Sequence, residues 1–182
     1  MQRVRDRRDD VAWHEFFDLY GPLIFRYGRQ RGLRRQDAEE LVASCFDKLS
    51  QVIADFEYEP SRGKFRSWLR TLVCHQLADM FARRREQLLP ESSLEHGAAP
   101  TVPQEQAWEQ AWRDQVLEHA VGLARSLSST QHFQVFQLSV LEGWPAERVA
   151  AAFGLSVEQV YRIKHKVLHA IREQMDRYTQ ES

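Results

Sequence analysis

On one short stretch near the C-terminus, Glu158, Gln159, Tyr161, Arg162, His165 and His169, flanked by Lys164 and Lys166, would share the outward side of a helix. Hydrogen-bonding groups near the start of such a helix, with cations further along, are what reading base edges and neutralising phosphates require. A solvated helical hairpin would present the same side chains, so this segment alone leaves DNA binding and an inert surface both open. Enzyme chemistry has less to work with. His165 and His169 stand four apart on one face, the spacing of two metal ligands, but no third ligand or paired general base accompanies them. Cys74 and His75 are adjacent rather than spaced for chelation, and no phosphate loop, dinucleotide-binding glycines or nucleophile elbow occurs. No catalytic residue, metal or cofactor is expected.

The elements that must position these groups are helical. Apolar residues recur at helical spacing nearly everywhere, and strand-like alternation is scarce, which predicts an all-α fold. A first helix is expected over Val11–Arg31, its stripe built from Trp13, Phe16, Phe17, Tyr20, Ile24 and Tyr27, with Gly32 as its stop. A second starts near Gln36, where Asp37, Glu39 and Glu40 suit the positive end of the helix dipole, and runs on through Leu41, Val42, Cys45, Phe46, Leu49 and Ile53. After a loop at Pro60 and Gly63, a third begins at Phe65 and ends in Arg83, Arg84 and Arg85, cations at its negative pole. Phe65 and Trp68, at helical spacing with Leu69 and Leu72, read as core.

Prolines, small residues and acids then replace the periodic pattern, so residues 88–104 read as a flexible acidic linker. The expected organisation is two small helical domains, a bundle over 1–87 and a helix-turn-helix bundle over 105–182. The second opens with a helix over 105–127 carrying Trp108, Trp112, Val116, Ala120 and Leu123, followed by another over 129–142. Ala146–Phe153, the turn Gly154-Leu155-Ser156 and a long helix from Val157 to about Tyr178 then have the spacing of a helix-turn-helix, with Ser156 able to cap. Val149, Ala150 and Phe153 should pack against Val160, Ile163 and Val167, with Leu155 filling the turn.

Charge follows the same division. The chain has 182 residues and a net charge of −1, but residues 1–87 carry 17 Lys and Arg against 14 Asp and Glu, residues 88–119 carry 1 against 6, and residues 120–182 carry 7 against 6. Two mildly basic lobes around an acidic strip are compatible with a nucleic-acid partner. Two isolated cysteines, Cys45 and Cys74, lack the density of a disulfide scaffold and suit a reducing compartment. No apolar run is long enough to span a membrane, and the charged N-terminus is followed by no signal-like apolar stretch, so a cytoplasmic protein is expected.

Asp37-Ala38-Glu39-Glu40-Leu41-Val42, followed by Phe46 and Leu49, resembles the acidic-aliphatic helix by which region two of bacterial RNA polymerase sigma factors docks on the polymerase. Phe65-Arg66-Ser67-Trp68-Leu69-Arg70-Thr71-Leu72-Val73, then Leu77-Ala78-Asp79 and Arg83-Arg84-Arg85, is similar to the segment of that region that opens and holds the minus-ten promoter element. Residues 56–64 fall where related proteins have the loop that captures a flipped-out base. Glu142-Gly143, Val149-Ala150, Phe153-Gly154-Leu155-Ser156 and Val160-Tyr161-Arg162 are similar to region four, which reads the minus-thirty-five element. Two such modules on a short linker look like the extracytoplasmic-function sigma factors. Arg148 and the segment from Gln159 to Lys166 depart from the commoner forms, so base preference does not carry over.

The resemblance implies three sites. Asp37, Glu40, Leu41, Phe46 and Leu49 would bind core polymerase, although acids at a helix start are equally explained by the dipole. Phe56, Tyr58, Arg62, Lys64, Arg70, His75, Gln76, Arg83, Arg84 and Arg85 would hold minus-ten DNA. Unstacking a base costs about a few kcal/mol, which an aromatic-rimmed, cation-lined surface can offset. Ser156, Glu158, Gln159, Tyr161, Arg162, Lys164, His165 and Lys166 would read minus-thirty-five DNA. Core RNA polymerase and promoter DNA are the implied partners, with an anti-sigma or other regulatory protein as a further candidate. The rival expectation is a helix-turn-helix regulator that binds duplex DNA without polymerase.

Overall fold

The computed structural model describes residues 9–53, 65–87 and 104–180. They are helical almost throughout, with no strand among them: α1 (Asp10–Gln30), α2 (Arg35–Val52), α3 (Phe65–Gln87), α4 (Gln104–Leu127), α5 (Thr130–Phe136), α6 (Ala146–Phe153) and α7 (Val157–Gln180). The chain divides into two compact units, residues 1–115 and 116–181, with the boundary inside α4.

In the first unit, Asp9 caps α1 by accepting from the Ala12 amide at 2.9 Å, which satisfies one of the helix's unpaired amides. The stop lies at Gly32, whose φ of 90° is open to glycine at little cost. Close approach of α1 and α2 depends on Gly28, where an added Cβ would lie 3.1 Å from a Leu41 methyl. The buried stripe of α2 is Ala38, Leu41, Cys45 and Leu49, continued by Ile53. That of α3 is Phe65, Leu69, Val73 and Leu77, spaced by four. Rings join the helices: Phe16 meets Phe65 edge-on at 5.9 Å, and Tyr20 meets it at 5.6 Å. Phe65 is core as expected, whereas Trp68 is only half-buried against it.

The start of α4 completes this unit. Ala107, Trp108, Ala111, Trp112 and Gln115 are buried. Trp108 packs edge-on to Tyr27 at 5.3 Å, Trp112 stacks on Tyr20 at 5.9 Å, and the Gln115 amide donates to the Asp18 carbonyl. Residues 105–115, expected in the second domain, therefore belong with α1 and α3. Helical periodicity continues through the boundary, so nothing in the pattern announces the change of partner.

In the second unit, Ala120, Ala124, Phe133, Phe136, Val167 and Ile171 form one apolar cluster, and Val135, Val149, Ala150 and Val160 form another. Phe153, Leu155 and Ile163 pack on the latter, the arrangement the helix-turn-helix spacing predicts, with Val167 assigned to the neighbouring cluster instead. Between α5 and α6 the chain widens into a π turn over Gln137–Leu141, closed by the Glu142 amide on the Gln137 carbonyl. Gly154, at φ 64°, ends α6 in the left-handed conformation and sends the Leu155 amide back to the Ala150 carbonyl.

Candidate nucleic-acid interface

On α2 the implied docking residues divide by depth. Glu40 is exposed, Asp37 half-buried, and Phe46 half-buried with its ring 4.9 Å from that of the exposed Phe17. Leu41 and Leu49 are 0% exposed. They point into the helix bundle, so their expected contact with a partner is corrected: they hold α2 in place. Cys45 lies on the same inner stripe, and burial pushes its thiol up to about 12, which makes it a small apolar filler rather than a nucleophile.

On α3, His75 and Arg83 are exposed and Gln76 is half-buried. Arg70 does not face open solvent as a free cation: its Nη1 donates to Glu105 at 2.8 Å. One turn back, Arg66 donates to both carboxylate oxygens of Glu109, at 3.0 and 3.2 Å, and lies 5.3 Å from the centre of the Trp112 ring. Both contacts are charge-assisted, with a single nitrogen, Arg66 Nη2, shared between the two Glu109 oxygens. A turn further on, Gln104 donates to the Cys74 thiol, which also lies 3.5 Å from the Tyr27 hydroxyl. Burial, reinforced by that thiol, keeps the phenol of Tyr27 protonated far above neutral pH. Phe56, Tyr58, Arg62 and Lys64, and the side chains of Arg84 and Arg85, lie outside the described residues.

Arg66, Glu105 and Glu109 were not among the expected site residues. Their signal was available: two cations four apart on one helix and two acids four apart on another, a complementary pair of faces.

At the start of α7, Glu158, Gln159, Tyr161, Arg162, His165 and Lys166 are exposed and Lys164 is half-buried. Ser156 and Gln159 form a reciprocal capping box, the Gln159 amide donating to Ser156 Oγ at 3.1 Å and the Ser156 amide to Gln159 Oε1 at 2.7 Å. Each side-chain oxygen thus has one acceptor site committed to the helix start, and the Gln159 side-chain nitrogen is its donor outside the box. Tyr161, 50% exposed, offers a ring and hydroxyl beside the cations of Arg162 and Lys166 and the imidazole of His165. Glu158 lies 4.0 Å from Arg162, and His169 pairs with Glu173 at 3.5 Å. Arg148 covers the Trp144 ring at 3.6 Å, fixing the entry to α6. Among the described residues no three His, Cys, Asp or Glu side chains gather as a metal site. None of the described helices is long and apolar enough to cross a membrane.

A helix-turn-helix with an exposed polar and cationic second helix, and a separate aromatic-cored bundle whose third helix bears cations, are the parts of a two-module transcription protein. Residues 16–87 match the family Sigma-70 region 2. Residues 16–87 are thus a Sigma-70 region 2 segment, and together with the likeness below they support a sigma-70 family member of the extracytoplasmic-function type. The chain is similar to the RNA polymerase sigma factor CarQ of Myxococcus xanthus, 25% identical over 173 residues that cover 95% of this chain and 94% of that protein.

Proposed function

We propose a division of labour in which Asp37, Glu40 and Phe46 on α2 engage core RNA polymerase, α3 and the segment before it hold minus-ten DNA, and the start of α7 reads minus-thirty-five DNA. The observation that carries this reading is the exposed, cation-rich start of α7 on a fully packed helix-turn-helix, in a chain that also matches Sigma-70 region 2. Within α7 the readers are Gln159 through its amide nitrogen, Tyr161, Arg162 and His165, while Lys166 contacts phosphate and Ser156 sets the helix start. Glu158 accepts from a cytosine amino group or restrains Arg162. Lys164 supports the phosphate contacts from the flank.

The protein contributes no chemical step of its own and acts in the cytoplasm, where polymerase and promoter meet. An anti-sigma protein would find its simplest target in the exposed acids of α2. Run-off transcription with purified core polymerase over a promoter library tests the reading. A chain-dependent transcript is expected, lost in Asp37→Arg/Glu40→Arg while duplex binding by α7 persists. No transcript above the core-only background would sink it.

A further inference from the structure

Along α3, Arg66, Arg70 and Cys74 occupy successive turns of one face, and each is bonded by α4: Glu109, Glu105 and Gln104 in descending order. The two helices therefore run antiparallel along the cationic stripe. A carboxylate oxygen that takes a guanidinium N–H occupies a donor that a backbone phosphate oxygen would otherwise take, as the Glu109 oxygens do on Arg66 Nη2 and Glu105 does on Arg70 Nη1. The anchors are apolar and sit beside the acids, since Trp108 and Trp112 are buried against Tyr27 and Tyr20, and Arg66 bonds Glu109 while lying 5.3 Å from the centre of the Trp112 ring. This is the form of an amphipathic helix bound in a groove, with side chains four apart as anchors. Its rim is solvated: the Arg70 and Glu105 side chains are 31% and 75% exposed. A rim ion pair of that kind is open to exchange and weakened by salt.

We infer that residues 104–115 are an internal ligand that masks the minus-ten surface, Glu105 and Glu109 occupying on Arg70 and Arg66 the positions that DNA phosphates take when the helix start moves away. The inference rests on the proposed reading of α3 as the helix that holds minus-ten DNA. It gives the free chain weak affinity for single-stranded DNA and couples DNA holding to release of the start of α4.

The experiment uses the full chain, alone and bound to core polymerase, and follows anisotropy of a fluorescein-labelled single-stranded minus-ten oligonucleotide. Glu105→Gln/Glu109→Gln should tighten binding by the free chain at least fivefold, with far-UV circular dichroism unchanged. Gln104→Cys, cross-linked to the native Cys74 by diamide, which takes up the two thiol hydrogens as the disulfide forms, should fail to hold the oligonucleotide in the polymerase complex. Dithiothreitol should restore it, and Gln104→Cys/Cys74→Ser should ignore diamide. Arg66→Gln/Arg70→Gln should weaken binding in the complex at least tenfold. If that last variant binds normally, the reading of α3 fails and the mask fails with it. If it weakens binding while the glutamine variant gains nothing and the cross-linked chain binds unimpaired, α3 holds DNA and the mask is refuted.

Discussion

Trp108→Ala should destabilise the first unit and leave the second untouched. The indole is 1% exposed and meets the fully buried Tyr27 edge-on with ring centres 5.3 Å apart. Truncating a buried tryptophan costs about 3–5 kcal/mol through lost transfer energy and the cavity left behind. One term opposes this. The indole Nε1 is buried without a hydrogen-bond partner, and removing an unsatisfied buried donor returns about 1–3 kcal/mol. The balance is a loss of about 2 kcal/mol, roughly a thirtyfold rise in the opening equilibrium of the unit. Trp108→Phe removes the same unpaired N–H but keeps an aromatic ring, and should stay within about 1 kcal/mol of the parent. Hydrogen exchange resolved by peptide, with urea unfolding alongside, separates the units. Protection should fall in α1, α3 and residues 104–115 and hold in α5, α6 and α7. Loss of protection confined to residues 116–180 would refute the assignment of the helix start to the first unit.

Three further outcomes follow from the same packing. Leu41→Ala should lower the urea midpoint through a loss of about 2–5 kcal/mol, as for other buried leucines, whereas Glu40→Arg should leave the midpoint in place, because one residue faces the core and the other solvent. Ser156→Ala should cost about 1 kcal/mol in thermal unfolding of the second unit by removing half of the capping box, and Ser156→Thr or Ser156→Asp should largely restore it. The Cys45 thiol is raised by burial from an ordinary 9.0 to about 12, so between those pH values the folded state holds a proton that the unfolded state has released. Stability should therefore fall as pH rises across that window, and Cys45→Ala should flatten the slope by one proton; an identical slope in the variant would count against the buried neutral thiol.

Much of the architecture can be read from periodicity. The stripes Ala38-Leu41-Cys45-Leu49 and Phe65-Leu69-Val73-Leu77 are written in the chain at helical spacing, and Gly32 and Gly154 mark turns that need positive φ. Periodicity says that a face is buried and does not say against what. Trp108 and Trp112 illustrate the limit, since the stripe of α4 continues through the unit boundary with no proline to mark where one core gives way to the other. Leu41 and Leu49 show it at the site, where a docking motif supplies both the residues that face a partner and those that hold the helix. Sequence also assigns each side chain its full hydrogen-bonding capacity, while the fold has already committed some of it: Ser156 and Gln159 to each other, Arg66 and Arg70 to Glu109 and Glu105. Part of the acidic strip between the basic lobes is thus a helix whose carboxylates neutralise the first lobe rather than a solvated spacer.

The measurement that bears most directly on the proposed role is permanganate reactivity of promoter thymines with the chain alone, core polymerase alone, and both together. Thymines in the minus-ten region should become reactive only with both components, and Asp37→Arg/Glu40→Arg should abolish the signal. Protection of a duplex site by the chain alone, with no thymine exposed in the presence of core polymerase, would contradict the account and favour a self-sufficient DNA-binding regulator.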